Sequence, residues 1–160
     1  MKIAVVYYSL EGNTKYVAEL IKTQLNADIF EIKTLEKNIN NNSFLKFFWW
    51  GKQVFMKDEP KIEISSNFNP EDYDLIFIGT PVWAFNYCPP IRTFFKEFKF
   101  NNKKVVVFCT HDGGMKNTLN NMKDALVGND VIGELDIISV LKDINNAKQK
   151  VSEFINNLKI

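Results

Sequence analysis

Residues 2–8, KIAVVYY, form a run that is apolar and β-branched on both faces, and residues 9–14, SLEGNT, follow it directly. Burial of both faces is typical of a central strand in a parallel sheet. Four apolar residues then recur at helical spacing: Val17, Leu20, Ile21 and Leu25. Thr14 is a candidate N-cap for this helix, because its hydroxyl can accept a hydrogen bond from the first turn. The segment therefore predicts a strand, a polar loop and an amphipathic helix.

The same alternation of strand and helix continues along the chain. Further strands are predicted at residues 27–32, 73–79, 103–110 and 131–140. The helices between and after them begin at Pro89 and Pro90, near Met115, and at a cap formed by Asp143. Ile144 is expected to point inward from the last helix. Alternating elements of this kind predict an α/β fold: a doubly wound, five-stranded parallel sheet with helices on both faces.

Length and charge limit the classes of function. A chain of 160 residues predicts one domain, residues 1–160. The net charge of +1 argues against nucleic acid as a partner. No apolar stretch approaches the ~20 residues that span a bilayer, so we expect no membrane association and a cytoplasmic location. Of the two cysteines, Cys109 is expected in the core, whereas Cys88 is expected in an exposed loop as a reactive thiol.

Three polar segments follow predicted strands: residues 9–14, residues 79–90 (GTPVWAFNYCPP) and residues 110–117 (THDGGMKN). Ligands of doubly wound sheets bind at this edge, so the three segments predict one site. In the first segment, hydroxyl groups, backbone N–H groups and a helix N-terminus favour an anion. The segment matches neither GxxxxGK[ST] nor GxGxxG, and a terminal monophosphate suits its neutral donors. A simple capped turn between strand and helix is the alternative.

These segments resemble the flavodoxin family. Residues 9–14 resemble its phosphate loop, [ST]-x-[ST]-G-x-T, and residues 79–84, GTPVWA, are similar to its second flavin-binding loop. Residues 89–95, PPIRTFF, are similar to the start of the next helix. Together with the order of the predicted strands, the resemblance covers residues 2–158. Glu11 departs from the pattern, since it stands where the family usually has a third hydroxyl. The near-neutral charge also departs from the acidic electron carriers, which dock on basic partners.

The resemblance implies the strand order 2-1-3-4-5 and non-covalently bound FMN, rather than FAD, as the cofactor. It implies that Trp83 stacks on the flavin ring and that His111 lies near its pyrimidine end, and no metal is expected. The expected FMN-binding residues are Ser9, Leu10, Glu11, Gly12, Asn13, Thr14, Thr80, Pro81, Val82, Trp83, Ala84, Phe85, Asn86, His111, Asp112, Gly113 and Gly114.

The function implied is electron transfer by a small flavin-dependent oxidoreductase, whose partner is a redox protein or NAD(P)H. Residues 84–86 contain no glycine, and of the three only Asn86 tolerates a left-handed backbone well. A stiff turn here favours two-electron chemistry over a one-electron carrier. The carrier and a flavin-free binding module are the alternatives. A phospho-receiver domain is disfavoured, because Ser9 and Thr80 stand where it needs acidic residues.

Residues 33–72 are too many for a plain loop and are expected to form an insertion between strands two and three. The centre of this insertion, residues 43–56 (SFLKFFWWGKQVFM), is densely aromatic. It predicts a helix that covers one face of the sheet. The alternatives are a lid over the ligand and a homodimer contact.

Overall fold

A computed structural model describes residues 1–35, 59–65 and 67–159. The aromatic segment at residues 43–56 lies outside the described residues, and so do the helix, lid and homodimer contact predicted for it. Within the described ranges, no helix combines the length and the apolar character needed to cross a bilayer.

Seven strands and four α-helices occur in the described part of the chain. The strands are β1 (Ile3–Tyr8), β2 (Asp28–Thr34), β3 (Ile62–Glu63), β4 (Leu75–Trp83), β5 (Asn86–Tyr87), β6 (Lys104–His111) and β7 (Asp130–Ile138). The helices are α1 (Asn13–Leu25), α2 (Pro89–Glu97), α3 (Thr118–Ala125) and α4 (Ile144–Asn157), and a short 3-10 helix covers Pro70–Asp72.

Five long strands form a parallel sheet in the order β2-β1-β4-β6-β7. This is the predicted order 2-1-3-4-5, and the α/β fold class is confirmed. The predicted count of five is incomplete, because β3 pairs antiparallel with β2 and β5 pairs antiparallel with β4. Each of these two strands has two residues, which is too short to produce a periodic sequence pattern.

The sheet is covered by helices on both faces, as predicted. One hydrophobic cluster joins alternate sheet residues to α2 and α3, through side chains such as Ile91, Phe94 and Met122. The other joins the remaining sheet residues to α1 and α4, through side chains such as Val17 and Val151. The central strand β1 is buried along its whole length, as its apolar sequence predicts.

Several helix starts differ from the sequence predictions. Helix α1 begins at Asn13 and its N-cap is Gly12, at a φ of 90°, so the prediction that Thr14 caps this helix was wrong. Gly12 takes the cap because glycine alone has no steric penalty at this backbone angle. At α4, Asp143 is the cap as predicted and accepts the Asn146 N–H at 3.0 Å. Ile144 is 41% exposed and does not join the core.

A β-bulge interrupts the pairing of β6 with β7. Val105 pairs with Val131, whereas Val106 pairs with Gly133, so Ile132 is the extra residue. A Cβ at Gly133 would lie 2.8 Å from the Phe154 ring of α4. The missing side chain therefore lets α4 approach the strand at the bulge.

Candidate functional site

A cavity of about 400 Å³ lies at the carboxyl ends of β1, β4 and β6. This volume falls in the range of small-molecule sites. The residues that line it are Ser9, Leu10, Glu11, Asn13, Thr14, Pro81, Val82, Trp83, Ala84, Phe85, Thr110, His111, Asp112, Gly113 and Gly114. All three polar segments that were expected to converge therefore contribute to one concave surface.

Fourteen of the seventeen residues predicted to bind a cofactor line this cavity. The three that do not are Gly12, Thr80 and Asn86, and the sequence reasoning missed Thr110. Thr110 is the last buried residue of β6. Its position at the carboxyl edge of the sheet could have identified it as a site residue.

Thr80 supports the second loop from inside the protein. Its hydroxyl oxygen accepts the Cys88 N–H at 3.1 Å and lies 3.3 Å from the Cys88 Sγ. Cys88 is fully buried at the start of α2, and burial raises the pKa of its thiol to about 12. The prediction of an exposed, reactive Cys88 was therefore wrong. The proline pair after it starts a buried helix instead of an exposed loop.

Asn86 holds the β4–β5 hairpin in place. Its Oδ1 accepts the Tyr87 N–H at 2.8 Å and an Asn121 side-chain N–H at 3.0 Å, which ties β5 to α3. The backbone of Asn86 is not left-handed. Ala84 (φ 47°) and Phe85 (φ 63°) take that conformation instead. Two residues at positive φ are the usual geometry of a two-residue hairpin turn, and the turn type overrides the preference of the side chains.

The first loop offers polar groups to one end of the cavity. The Ser9 Oγ is buried, and among the described residues it has no hydrogen-bond partner. The first turn of α1 begins here, so its free N–H groups and its positive end face the same region. Glu11 is exposed at the rim.

Two contacts from other elements hold the side chains of this loop. The Leu141 N–H, in the connection between β7 and α4, donates to the Asn13 Oδ1 at 3.1 Å. The Oγ1 atoms of Thr14 and Thr110 lie 2.8 Å apart and are hydrogen-bonded. Both threonines are almost fully buried. The loop is therefore anchored to β6 and to the end of β7.

Aromatic side chains form another part of the cavity wall. The Trp83 ring meets the Tyr8 ring edge to face, with centroids 5.8 Å apart and an interplanar angle of 88°. Burial raises the pKa of the Tyr8 phenol above its usual value, so the phenol stays neutral. Phe85 is 49% exposed, and the Lys116 ammonium lies 3.8 Å from the centroid of its ring. The Tyr8 contact fixes the plane of Trp83 beside the cavity.

The third loop is organised by His111. Its Nδ1 accepts the Gly114 N–H at 3.0 Å, and its Nε2 lies 3.5 Å from an Asp136 carboxylate oxygen. Among the described residues, the buried Nε2 has no hydrogen-bond partner. The Asp112 carboxylate accepts from the Ser139 hydroxyl and pairs with Lys142, both at 3.2 Å. These contacts give His111 the role of holding the loop against the cavity.

The cavity wall thus combines hydrogen-bond donors with flat aromatic surface. Hydroxyl and N–H groups at a helix N-terminus suit a phosphate, and an indole face suits a planar ring. Among the residues that the structure describes, no cluster of His, Cys, Asp and Glu could hold a metal ion. The arrangement fits a planar aromatic compound that ends in a phosphate group.

Comparison with known proteins gives consistent results. A family model described as flavodoxin matches residues 2–158. A flavoprotein of Lactobacillus acidophilus, solved as a crystal structure in complex with FMN, is 28% identical, with a TM-score of 0.74 over 89% of this chain and 97% of that one. The NMR structure of the apo form of the flavoprotein from the same organism gives a TM-score of 0.66, again at 28% identity, over 88% of this chain and 95% of that one.

One curated relative was also found. An uncharacterized protein of Archaeoglobus fulgidus is 24% identical over 103 residues, which is 64% of this chain. The match spans 62% of the length of that relative.

Proposed function

The chain belongs to the flavodoxin family, and from this premise we propose that it binds FMN non-covalently and transfers electrons through it as a small flavin-dependent oxidoreductase. The observation that carries the proposal is the buried, unpartnered Ser9 Oγ beside the N-terminus of α1. A buried hydroxyl without a partner costs free energy, and a phosphate oxygen would satisfy it.

The residues present fit the cofactor. Ser9, Asn13 and Thr14 would hold the phosphate together with the first N–H groups of α1. Trp83 and Phe85 would lie along the ring system, and the backbone N–H groups near Gly113 would reach the ring carbonyls. When bound, FMN supplies reversible electron transfer, while the protein supplies binding, orientation and electrostatics.

The finer choice between oxidoreductase and carrier depends on the turn at residues 84 and 85. Both residues are at positive φ. Rotation of the peptide between them would give a turn that normally requires glycine at its first central position. Ala84 therefore resists this rotation, and the backbone of the turn would present nearly the same polar groups to a bound ring before and after reduction. A site that does not adjust to a single added electron favours two-electron chemistry, with NAD(P)H or a redox protein as the partner.

Flavin binding is tested first, by titrating flavin-free protein with FMN and following the fluorescence of the flavin. We expect FMN to bind more tightly than riboflavin, which has the same ring and no phosphate. Ser9→Ala should reduce this preference by about threefold to tenfold, the usual value of one hydrogen bond. Equal affinity of the wild type for FMN and riboflavin would contradict the proposed phosphate site.

Activity is tested next, with NADH and NADPH as reductants of the FMN-loaded protein. Oxidation of either nucleotide by an added acceptor supports the oxidoreductase. Exchange of electrons with redox proteins alone would assign the protein to the carriers. We also propose a cytoplasmic location, as expected from the sequence.

A further inference from the structure

The buried pair Thr14–Thr110 holds two hydroxyl protons but has only one hydrogen bond between its oxygens, which are 2.8 Å apart. Thr14 is 1% exposed and Thr110 is 3% exposed. Among the described residues, neither hydroxyl has a second partner. Whichever oxygen donates within the pair, one O–H remains for another acceptor, and both residues line the cavity.

The position of the two residues decides which O–H faces the cavity ligand. Thr14 lies in the first turn of α1, beside the free N–H groups that attract an anion. Thr110 lies at the end of β6, not at a helix N-terminus. An anion at this helix end accepts from Thr14, and the Thr14 oxygen must then accept from Thr110. With a phosphate bound, Thr110 would donate to Thr14 and Thr14 would donate to the phosphate.

We infer that Thr110 is a positioning residue that fixes the Thr14 hydroxyl as a phosphate donor and so makes the site prefer FMN to riboflavin. This inference rests on the proposed function. A hydroxyl that accepts one hydrogen bond is a stronger donor in the next, so Thr110 contributes without touching the phosphate. It also removes the rotational freedom of the Thr14 hydroxyl.

Four variants test the proposed role of Thr110: Thr110→Val, Thr110→Ser, Thr14→Val and the double valine variant. Valine has the shape of threonine without the hydroxyl, so the buried packing is kept. We expect Thr110→Val to weaken FMN binding by about threefold to tenfold and to leave riboflavin binding unchanged. Thr110→Ser should restore the affinity for FMN, because it restores the donor.

The double variant distinguishes two roles for Thr110: positioning the Thr14 hydroxyl, or binding the phosphate itself. If Thr110 acts through Thr14, the double variant should bind FMN no more weakly than Thr14→Val alone. The inference would be overturned if the losses of FMN affinity in the two single variants add in the double variant. It would also be overturned if Thr110→Val leaves the ratio of FMN affinity to riboflavin affinity unchanged. A wild-type protein that does not distinguish FMN from riboflavin would instead overturn the proposed function, so the two failures are distinguishable.

Discussion

The two cysteines illustrate how far burial changes the chemistry of a single residue. Burial raises the pKa of both the Cys88 and the Cys109 thiol from 9.0 to about 12. At pH 8, only about one thiol in ten thousand would then be ionised, and the thiolate is the reactive form. We expect neither cysteine of the folded protein to react with a chromogenic disulfide reagent, and both to react after unfolding in guanidinium. Rapid labelling of the folded protein would contradict this expectation.

The same thiols make stability depend on alkaline pH. In the unfolded chain they lose their protons near the ordinary pKa, whereas in the folded protein they keep them up to about pH 12. The unfolded state therefore binds fewer protons between these values, and the free energy of unfolding falls as the pH rises from about 9. Urea unfolding at pH 8 and pH 10 measures the loss. The double variant Cys88→Ala/Cys109→Ala should show a smaller loss across the same interval.

Tyr8 acts on the site through Trp83, which it meets edge to face. Such a contact contributes about 0.5–1.5 kcal/mol beyond the buried area. We expect Tyr8→Leu to weaken the binding of FMN and riboflavin equally, by roughly threefold to tenfold, since the indole loses its support. Tyr8→Phe keeps the ring and serves as the matched control. A selective effect on FMN alone would place the influence of Tyr8 at the phosphate end instead.

At the scale of elements, one position of β4 has no space for a side chain, because a ring from the neighbouring strand β6 lies over it. A Cβ at Gly79 would overlap the fully buried ring of Phe108 on the neighbouring strand. We expect Gly79→Ala to lower the free energy of unfolding by about 1–3 kcal/mol, the usual cost of overpacking a core.

The matched control is Gly113→Ala, because an added Cβ there has no neighbour within 4 Å. Denaturant unfolding of both flavin-free variants gives the comparison. Equal losses in the two variants would show that backbone freedom, and not the Phe108 ring, sets the cost at Gly79.

The hairpin turn between β4 and β5 is the element that the proposed chemistry depends on. We expect the wild-type protein to take up two electrons at nearly one potential, because Ala84 resists rotation of the peptide that follows it. Ala84→Gly removes this resistance and should separate the potentials of the two electrons. Stepwise anaerobic reduction with dithionite, followed by absorbance, measures the separation.

Asn102→Gly is the control for this turn variant. Asn102 also has a positive φ, 57°, but it lies in the connection between α2 and β6 and does not line the cavity. An equal change of potentials in both variants would mean that the turn at Ala84 has no special role.

For the whole molecule, a ligand that binds only the folded chain stabilises all of it. With free FMN at about 100 times its Kd, the added stability is about 2.7 kcal/mol. For a chain of 160 residues, this corresponds to a rise in Tm of roughly 5–10 °C. Thermal unfolding with FMN and with riboflavin at equal concentration measures the effect. A Tm that is unchanged by saturating FMN would contradict binding at the cavity.

The sequence was sufficient to predict the parallel sheet, since β1, β4 and β6 carry continuous apolar runs and each helix carries an apolar face. It was not sufficient for β3 and β5, because two residues are too few for a periodic pattern. In addition, β3 pairs with β2, which is distant in the chain. The same limit applies at the site. The Thr14–Thr110 contact joins residues 96 positions apart, and the burial of Cys88 depends on how α2 packs on the sheet.

The hydrogen bond from Leu141 to Asn13 makes one amide proton a reporter of the site. Leu141 is exposed, and its N–H is held by the side chain of Asn13, a cavity-lining residue. Its exchange with deuterium therefore follows the order of that side chain. We expect a bound ligand to restrain Asn13 and therefore to slow the exchange of the Leu141 amide. A single resonance in an exposed loop would then measure occupancy without any optical signal from the flavin.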